Sequence, residues 1–254
     1  MAAPILADLK GRRALVTGGS RGIGEALAKA LADAGAAVAI AARDPKRLAE
    51  TAARLGKGKP LATVPVDLAD PMSARRMVAE ATQALGGIDI LVNNAGGAVR
   101  GPLLDLDPAA FGALMALNVT SYLTAAQAAV PGMLQRGWGR VVNVSSVYAR
   151  VPARAMGAYA ISKAAVDMLT RQMALEWAGT GVTANALGPV QILTDLARPS
   201  WENEERRKMV TSQIPMGRWA TTDDLVGPFL HLCSDASAMM TGQTMFVDGG
   251  RLLL

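Results

Sequence analysis

One cysteine, Cys233, and one histidine, His231, are all that 254 residues offer of two side chains commonly used to bind transition metals. An intrachain disulfide is excluded, a cysteine-based metal cluster is excluded with it, and no metal site is expected. A single histidine also argues against a Ser–His triad. Sparse cysteine fits a reducing compartment. The opening residues, MAAPILADLKGRR, lack a charged start followed by a long apolar stretch. No signal peptide is therefore expected, and the chain is expected in the cytoplasm.

Charge is missing in one place: residues 108–135, between Asp107 and Arg136, carry none. A membrane span is the obvious reading, but Asn118, Ser121, Gln127 and the Pro131–Gly132 pair interrupt it. A helix buried on more than one side is expected instead, and no membrane partner. Elsewhere 26 basic residues exceed 21 acidic ones, a net charge of +5. The two signs are interleaved, as in ENEERRKMV at 202–210, which reads as a solvated helix face and not as a nucleic-acid footprint. The mild excess suits a small anionic ligand.

What the chain does have is rhythm. RALVTGG, AAVAIAAR, LATVPVD, IDILVNNAG, GRVVNVSS, VTANALGP and TMFVDGG read as seven strands. Several lack inside–outside alternation, as strands covered on both faces do. Residues 22–34, 45–55, 71–85, 108–135, 157–178 and 221–233 between them read as helices. Alternation of this kind implies a single α/β domain over residues 1–254, with a doubly wound, Rossmann-type parallel sheet of seven strands and helices on both faces. Ligands of such sheets bind beyond the carboxyl ends of the strands. The first strand runs into TGGSRGIG at 17–24, where Gly18, Gly22 and Gly24 permit a tight turn and close approach of backbone to a pyrophosphate at a helix N-terminus.

Tyrosines number only three, so the position of each carries information. In YAISK at 159–163, Tyr159 and Lys163 are one helical turn apart and share a face. A neighbouring ammonium is expected to lower the phenol's pKa from about 10, which would turn a sluggish acid into a usable one.

TGGSRGIG, NNAG at 93–96, Ser146 thirteen residues before Tyr159, and YAISK together resemble the short-chain dehydrogenase/reductase superfamily. The glycines match its TGxxxGxG variant, and the likeness runs from GRRALVTGG to TGQTMFVDGG. The segment from Leu193 to Leu225 looks most like gluconate 5-dehydrogenase relatives, with 3-oxoacyl-carrier-protein reductases close behind. The resemblance implies an NADP(H)-dependent enzyme that interconverts a secondary alcohol and a ketone, with a sugar acid, 3-oxoacyl or similar carbonyl compound as substrate. It implies a catalytic set of Asn118, Ser146, Tyr159 and Lys163. Ser146 would hold the substrate oxygen, Tyr159 would pass the proton, Lys163 would assist Tyr159 and hold ribose, and Asn118 would anchor a water. The competing serine is Ser145. A non-catalytic NADP(H)-sensing protein of the same fold is the alternative, and a methyltransferase would have no use for the Ser–Tyr–Lys set.

By the same resemblance the cofactor is contacted by Gly18, Ser20, Arg21, Gly22, Ile23, Gly24, Arg43, Asp67, Leu68, Asn94, Ala95, Gly96, Tyr159 and Lys163. Pro189, Val190, Ile192 and Thr194 complete that set in LGPVQILT, where family members commonly carry glycine in place of Val190. Ala42 stands where an NAD enzyme would place an acid, and Arg43 follows it; with Arg21 it is expected to select the 2′-phosphate. Residues 190–215 are expected to form a substrate lid, with Trp201, Gln191 and Arg154 reaching the substrate. The apolar helices imply a homo-oligomer, most simply a tetramer.

Overall fold

β1 (Arg13–Thr17) shows how the chain is sorted into layers, because consecutive side chains of a strand face opposite ways. Ala14 and Val16 join one buried cluster and Leu15 joins another. The computed structural model describes residues 7–56, 61–70, 72–194 and 197–254, apart from the side chain of Pro199. Positions 1–6, 71, 195 and 196, which fall within the sequence readings above, lie outside the described residues.

After β1 come α1 (Gly22–Asp33), β2 (Ala37–Ala42), α2 (Pro45–Gly56), β3 (Leu61–Pro65), α3 (Ser73–Leu85) and β4 (Ile90–Asn93). The second half holds α4 (Pro108–Met115), α5 (Ser121–Arg136), β5 (Gly139–Val144), α6 (Gly157–Glu176), β6 (Val182–Pro189), α7 (Arg198–Glu202), α8 (Glu204–Ser212), α9 (Asp223–Cys233) and β7 (Thr244–Val247). All seven strands run parallel in the order β3-β2-β1-β4-β5-β6-β7. The winding reverses beside β1, so the carboxyl ends of β1 and β4 open onto one crevice.

Leu27, Ala28 and Leu31 of α1 and Leu225, Phe229 and Leu232 of α9 cover one face of the sheet. Met77 and Val78 of α3, Ala125, Ala129 and Met133 of α5, and Met173 of α6 cover the other. The apolar positions recur at helical spacing, and each fully buried leucine or phenylalanine contributes about 1.5–3 kcal/mol.

One local result departs from the sequence reading, and two more fill in what it left open. The uncharged run is not one straight helix: Asp107 caps α4 by accepting from the amides of Ala109 and Ala110, and a π-helical turn at Ala116–Thr120 separates α4 from α5. By length and composition Pro108–Arg136 could cross a membrane. In the fold Tyr122, Ala125, Ala126 and Val130 are buried within the domain, while Leu123, Gln127 and Leu134 remain exposed. Between β6 and α9 the strand–helix rhythm gives way to the two short helices α7 and α8. Val190 has an unstrained backbone, because the chain leaves β6 extended; its amide donates to Val247 O at 3.1 Å, and Ile192 bridges to Ala220.

Candidate active site

The glycine loop closes on itself too tightly for side chains. A Cβ on Gly24 would lie 2.2 Å from Gly18 O, and one on Gly18 would lie 2.8 Å from Asn94 Nδ2. Gly18 and Gly22 take φ of +64° and +56°, where glycine is unstrained. Asn94 fastens the end of β4 to this loop, with Nδ2 donating to Thr17 O at 2.8 Å. The Thr17 hydroxyl accepts from the amides of Asn94 at 2.9 Å and Ala95 at 3.0 Å. Thr17 was missed by the sequence reading, although it opens the quoted motif.

The N-terminus of α1 carries no side-chain cap, so its first amides and its positive dipole end face the crevice. The side chains of Arg21 and Arg43 are exposed, and their guanidiniums engage no hydrogen bond or ion pair among the described residues. A narrow glycine cradle, an uncapped helix start and two free guanidiniums fit a phosphate-bearing dinucleotide. Ser20 is buried, its carbonyl accepting from Thr51 Oγ1 at 3.1 Å, while Ile23 packs on the core. Across the loop, Thr194 Cγ2 comes within 3.5 Å of the point where a Gly22 Cβ would stand. Asp67 is exposed and caps a local turn, accepting from the Ala69 amide at 2.9 Å, and Leu68 is buried in the core.

The second half of the site hangs on β5 and α6. Tyr159 and Lys163 do share one face of α6, but the ammonium is not spent on the phenol. Lys163, 3 % exposed, donates to Val144 O at 2.7 Å and stands 5.7 Å from the Tyr159 ring centroid. The expected lowering of the Tyr159 pKa is absent. Burial pushes the phenol up to about 12, only partly opposed by the Ser146 hydroxyl, with Tyr148 adding to the rise. Burial equally pushes Lys163 down to about 8, against the pull of Asp167. Desolvation outweighs pairing for both groups.

Of the two serines, Ser146 is the one that reaches Tyr159. Ser145 Oγ turns away to Asp167 Oδ1 at 2.6 Å. Asn118 is fully buried in the π-helical turn, a distortion that often marks functional sites. Its Nδ2 donates to Gly97 O at 3.0 Å and Ser162 Oγ at 2.9 Å, and its Oδ1 accepts from the Gly97 amide at 2.9 Å. It thereby ties the irregular segment following NNAG to α6, and a Cβ on Gly96 would press on it at 3.1 Å.

Gln191 Nε2 donates to Tyr148 OH at 2.5 Å, and the Tyr148 ring meets Tyr159 edge-on at 6.2 Å. This wall was half seen from sequence, through Gln191 alone. Arg154 is exposed and forms no hydrogen bond or ion pair among the described residues. It precedes Ala155, whose φ of +60° is the one positive value outside glycine there. Trp201 is neither brought to the Ser146–Tyr159 pair nor turned outward. It packs edge-on against Trp219 at 5.4 Å, with Arg207 over its ring at 5.2 Å. Among the described residues no cluster of three or more potential ligands could hold a metal ion.

These features, a glycine-rich turn after β1 and a Ser–Tyr–Lys set beyond β5, define an oxidoreductase built on a doubly wound sheet. A family model described as enoyl-(acyl carrier protein) reductase matches residues 18–251. Gluconate 5-dehydrogenase of Gluconobacter oxydans (strain 621H) is 36% identical over 251 residues, covering 98% of each chain. The solved gluconate 5-dehydrogenase of Burkholderia cenocepacia J2315, in complex with NADP and tartrate, is 38% identical, with a TM-score of 0.92 over 98% of this chain and 99% of that one. A 3-oxoacyl (acyl-carrier-protein) reductase from Agrobacterium tumefaciens C58, solved with NADP bound, is 35% identical, with a TM-score of 0.91 over 96% and 95%. The chain belongs to the short-chain dehydrogenase/reductase superfamily and is an oxidoreductase of that class.

Proposed function

We propose that the protein is an NADP(H)-dependent reductase and dehydrogenase that interconverts a ketone and a secondary alcohol on a small polar substrate, a sugar acid, a 3-oxoacyl compound or a related carbonyl. The observation that carries the proposal is the meeting of Ser146, Tyr159, Lys163 and Asn118 beside the glycine cradle. Relatives that share this architecture carry NADP in their solved structures, and Arg43 following Ala42 favours the phosphorylated cofactor here.

The cofactor, when bound, supplies a hydride to the carbonyl carbon. The protein's own residues handle the oxygen and the proton. Ser146 donates a hydrogen bond to the carbonyl oxygen and steadies its growing negative charge. Tyr159, with its pKa pushed up to about 12, keeps its proton at neutral pH and donates it to that oxygen. Lys163 is held by Val144 O and has donors left for a ribose hydroxyl. Its charge favours the phenolate left behind once cofactor and substrate crowd the site. Asn118 fixes the Gly97 backbone and supports a water at the inner end of the site. The cofactor set is Gly18, Ser20, Arg21, Gly22, Ile23, Gly24, Arg43, Asp67, Leu68, Asn94, Ala95, Gly96, Pro189, Val190, Ile192 and Thr194, with Tyr159 and Lys163. Gln191 and Tyr148 form the polar wall for substrate. Residues 1–254 act as one domain, with 190–215 as the lid that Trp201 anchors through Trp219.

The assembly we propose is a homo-oligomer, most simply a tetramer. Ile161, Met168 and Leu175 form an exposed stripe at seven-residue spacing along α6, and Leu123 and Leu134 face outward on α5. Such apolar surface is normally covered by another subunit. Light scattering at micromolar concentration tests this, and a monomeric mass would remove it. The function itself is tested by a screen of sugar acids, 3-oxoacyl thioesters and simple ketones with NADPH and NADH. Turnover of none of them with either cofactor, alongside tight NADP binding, would favour the sensing protein instead.

A further inference from the structure

Three consecutive residues at the end of β5 each face α6, and two of them are bonded to it. Val144 O receives Lys163, Ser146 meets Tyr159, and between them Ser145 Oγ donates to Asp167 Oδ1 at 2.6 Å. Tyr159, Lys163 and Asp167 follow one another at four-residue steps, so all three lie along one face of the helix. Asp167 is 4 % exposed, and its second oxygen, Oδ2, is buried without a hydrogen bond. Nε of the half-exposed Arg150 stands 3.3 Å from that oxygen. A buried carboxylate is costly, and a neutral amide could accept the Ser145 bond just as well. The negative charge calls for another reason.

We propose that Asp167 is a positioning residue for the reaction: it fixes Ser145, and through it the adjoining Ser146 hydroxyl, against α6, and its charge keeps the neighbouring Lys163 in the ammonium form. The surroundings of Lys163 leave few other candidates. Tyr159 and Asp167 face it from its own helix, and the ring of Tyr122, on α5, has its centroid 5.5 Å from Lys163 Nζ. β5 presents only the Val144 carbonyl, and the short turn at Val147–Ala149 sends Tyr148 to Tyr159. Arg150, beyond that turn, pairs with Asp167. Asp167 is thus the one anionic group acting on Lys163 among the described residues, where it opposes the effect of burial.

This inference rests on the reading that Tyr159 and Lys163 carry the chemistry, so its test includes Tyr159→Phe. Asp167→Asn keeps an acceptor for Ser145 and removes the charge. The alkaline limb of kcat/KM for NADPH in ketone reduction should move to lower pH by roughly half a unit or more, with the carbonyl KM little changed. Ser145→Ala keeps the charge and should lower kcat several-fold with the limb unmoved. Arg150→Gln, at a half-exposed position that tolerates change, should move the limb to higher pH and keeps the test open if Asp167→Asn fails to fold. An unmoved limb in Asp167→Asn, or in Arg150→Gln where the former does not fold, overturns the role of Asp167. Retained turnover in Tyr159→Phe would instead overturn the underlying reading.

Discussion

The two ends of the sheet treat buried charge in opposite ways. At the amino ends of the strands, Asp89 is gripped by Arg13, with Nε and Nη2 each donating at 2.7 Å, and by Arg136 Nε at 3.1 Å. Burial alone would raise the Asp89 pKa, but the Arg13 hydrogen bonds and charge outweigh it and hold the carboxyl below its ordinary range. Nearby, Arg140 is buried against Trp138 at 4.4 Å and bonded to Ser234 O and Asp235. At the carboxyl ends, Lys163 has a carbonyl for a partner where Arg13 has a carboxylate. Tyr122 OH, Asn93 Oδ1 and Asp167 Oδ2 are buried there without hydrogen bonds, and Ala155 is strained. Pairing of Arg13 with Asp89 pushes both titrations away from neutrality and stabilises the fold. Underpairing leaves Lys163 near 8, where a proton can be used.

Mutations at the two ends should therefore fail differently. Tyr159→Phe removes only the hydroxyl and is expected to cost about 10³-fold in turnover, with cofactor binding and thermal stability nearly unchanged. Steady-state rates and calorimetry on one preparation would check both halves. Asp89→Asn should do the reverse, lowering stability by about 3 kcal/mol while leaving kcat at 25 °C close to wild type. Because its folded pKa is depressed, the Asp89 contribution is present above about pH 4 and is lost as pH falls below that value. Denaturant titrations at pH 7 and pH 3 should show the mutant's deficit shrinking in acid.

Arg43→Ala probes charge left free in the open crevice. It should reduce the preference for NADPH over NADH by about tenfold, from competing kcat/KM measurements, since a charge-assisted contact contributes about 1.5–3 kcal/mol. Equal use of both cofactors by the wild type would contradict the Arg43 assignment. Smallest of all, Ala155→Gly should relieve the left-handed backbone and raise stability by about 0.5–1 kcal/mol, offset in part by glycine's greater freedom when unfolded. A fall in melting temperature would mean that the strain is not held in Ala155.

Much of this was legible in the sequence. The seven strands follow from short apolar runs bounded by glycine, and the glycine cradle from spacing after the first of them. What stayed hidden depends on partners distant in sequence. Nothing in GRVVNVSS marks the Val144 carbonyl as the seat of Lys163, because every residue has a carbonyl. The Tyr159 shift ran opposite to the expected direction because helical spacing reveals a neighbour but not the depth of burial. The π-helical turn at Asn118 is invisible to a periodicity that changes by one residue within an apolar run. Trp201 gave no sign of choosing Trp219, eighteen positions later. Asp167 and Thr17 looked like ordinary helix and strand-end residues until the fold brought Ser145 and Asn94 to them.

The central claim is that an underpaired Lys163 sets the working range of the site. The direct measurement is kcat/KM for NADPH in ketone reduction from pH 6 to pH 10, a quantity that reports the ionisations of the free enzyme. Tyr159 remains protonated throughout most of that range, so the loss should track Lys163: a level profile that falls tenfold per unit above about pH 8. A profile that stays level to pH 10 would show Lys163 to be paired like Arg13, and would contradict the account.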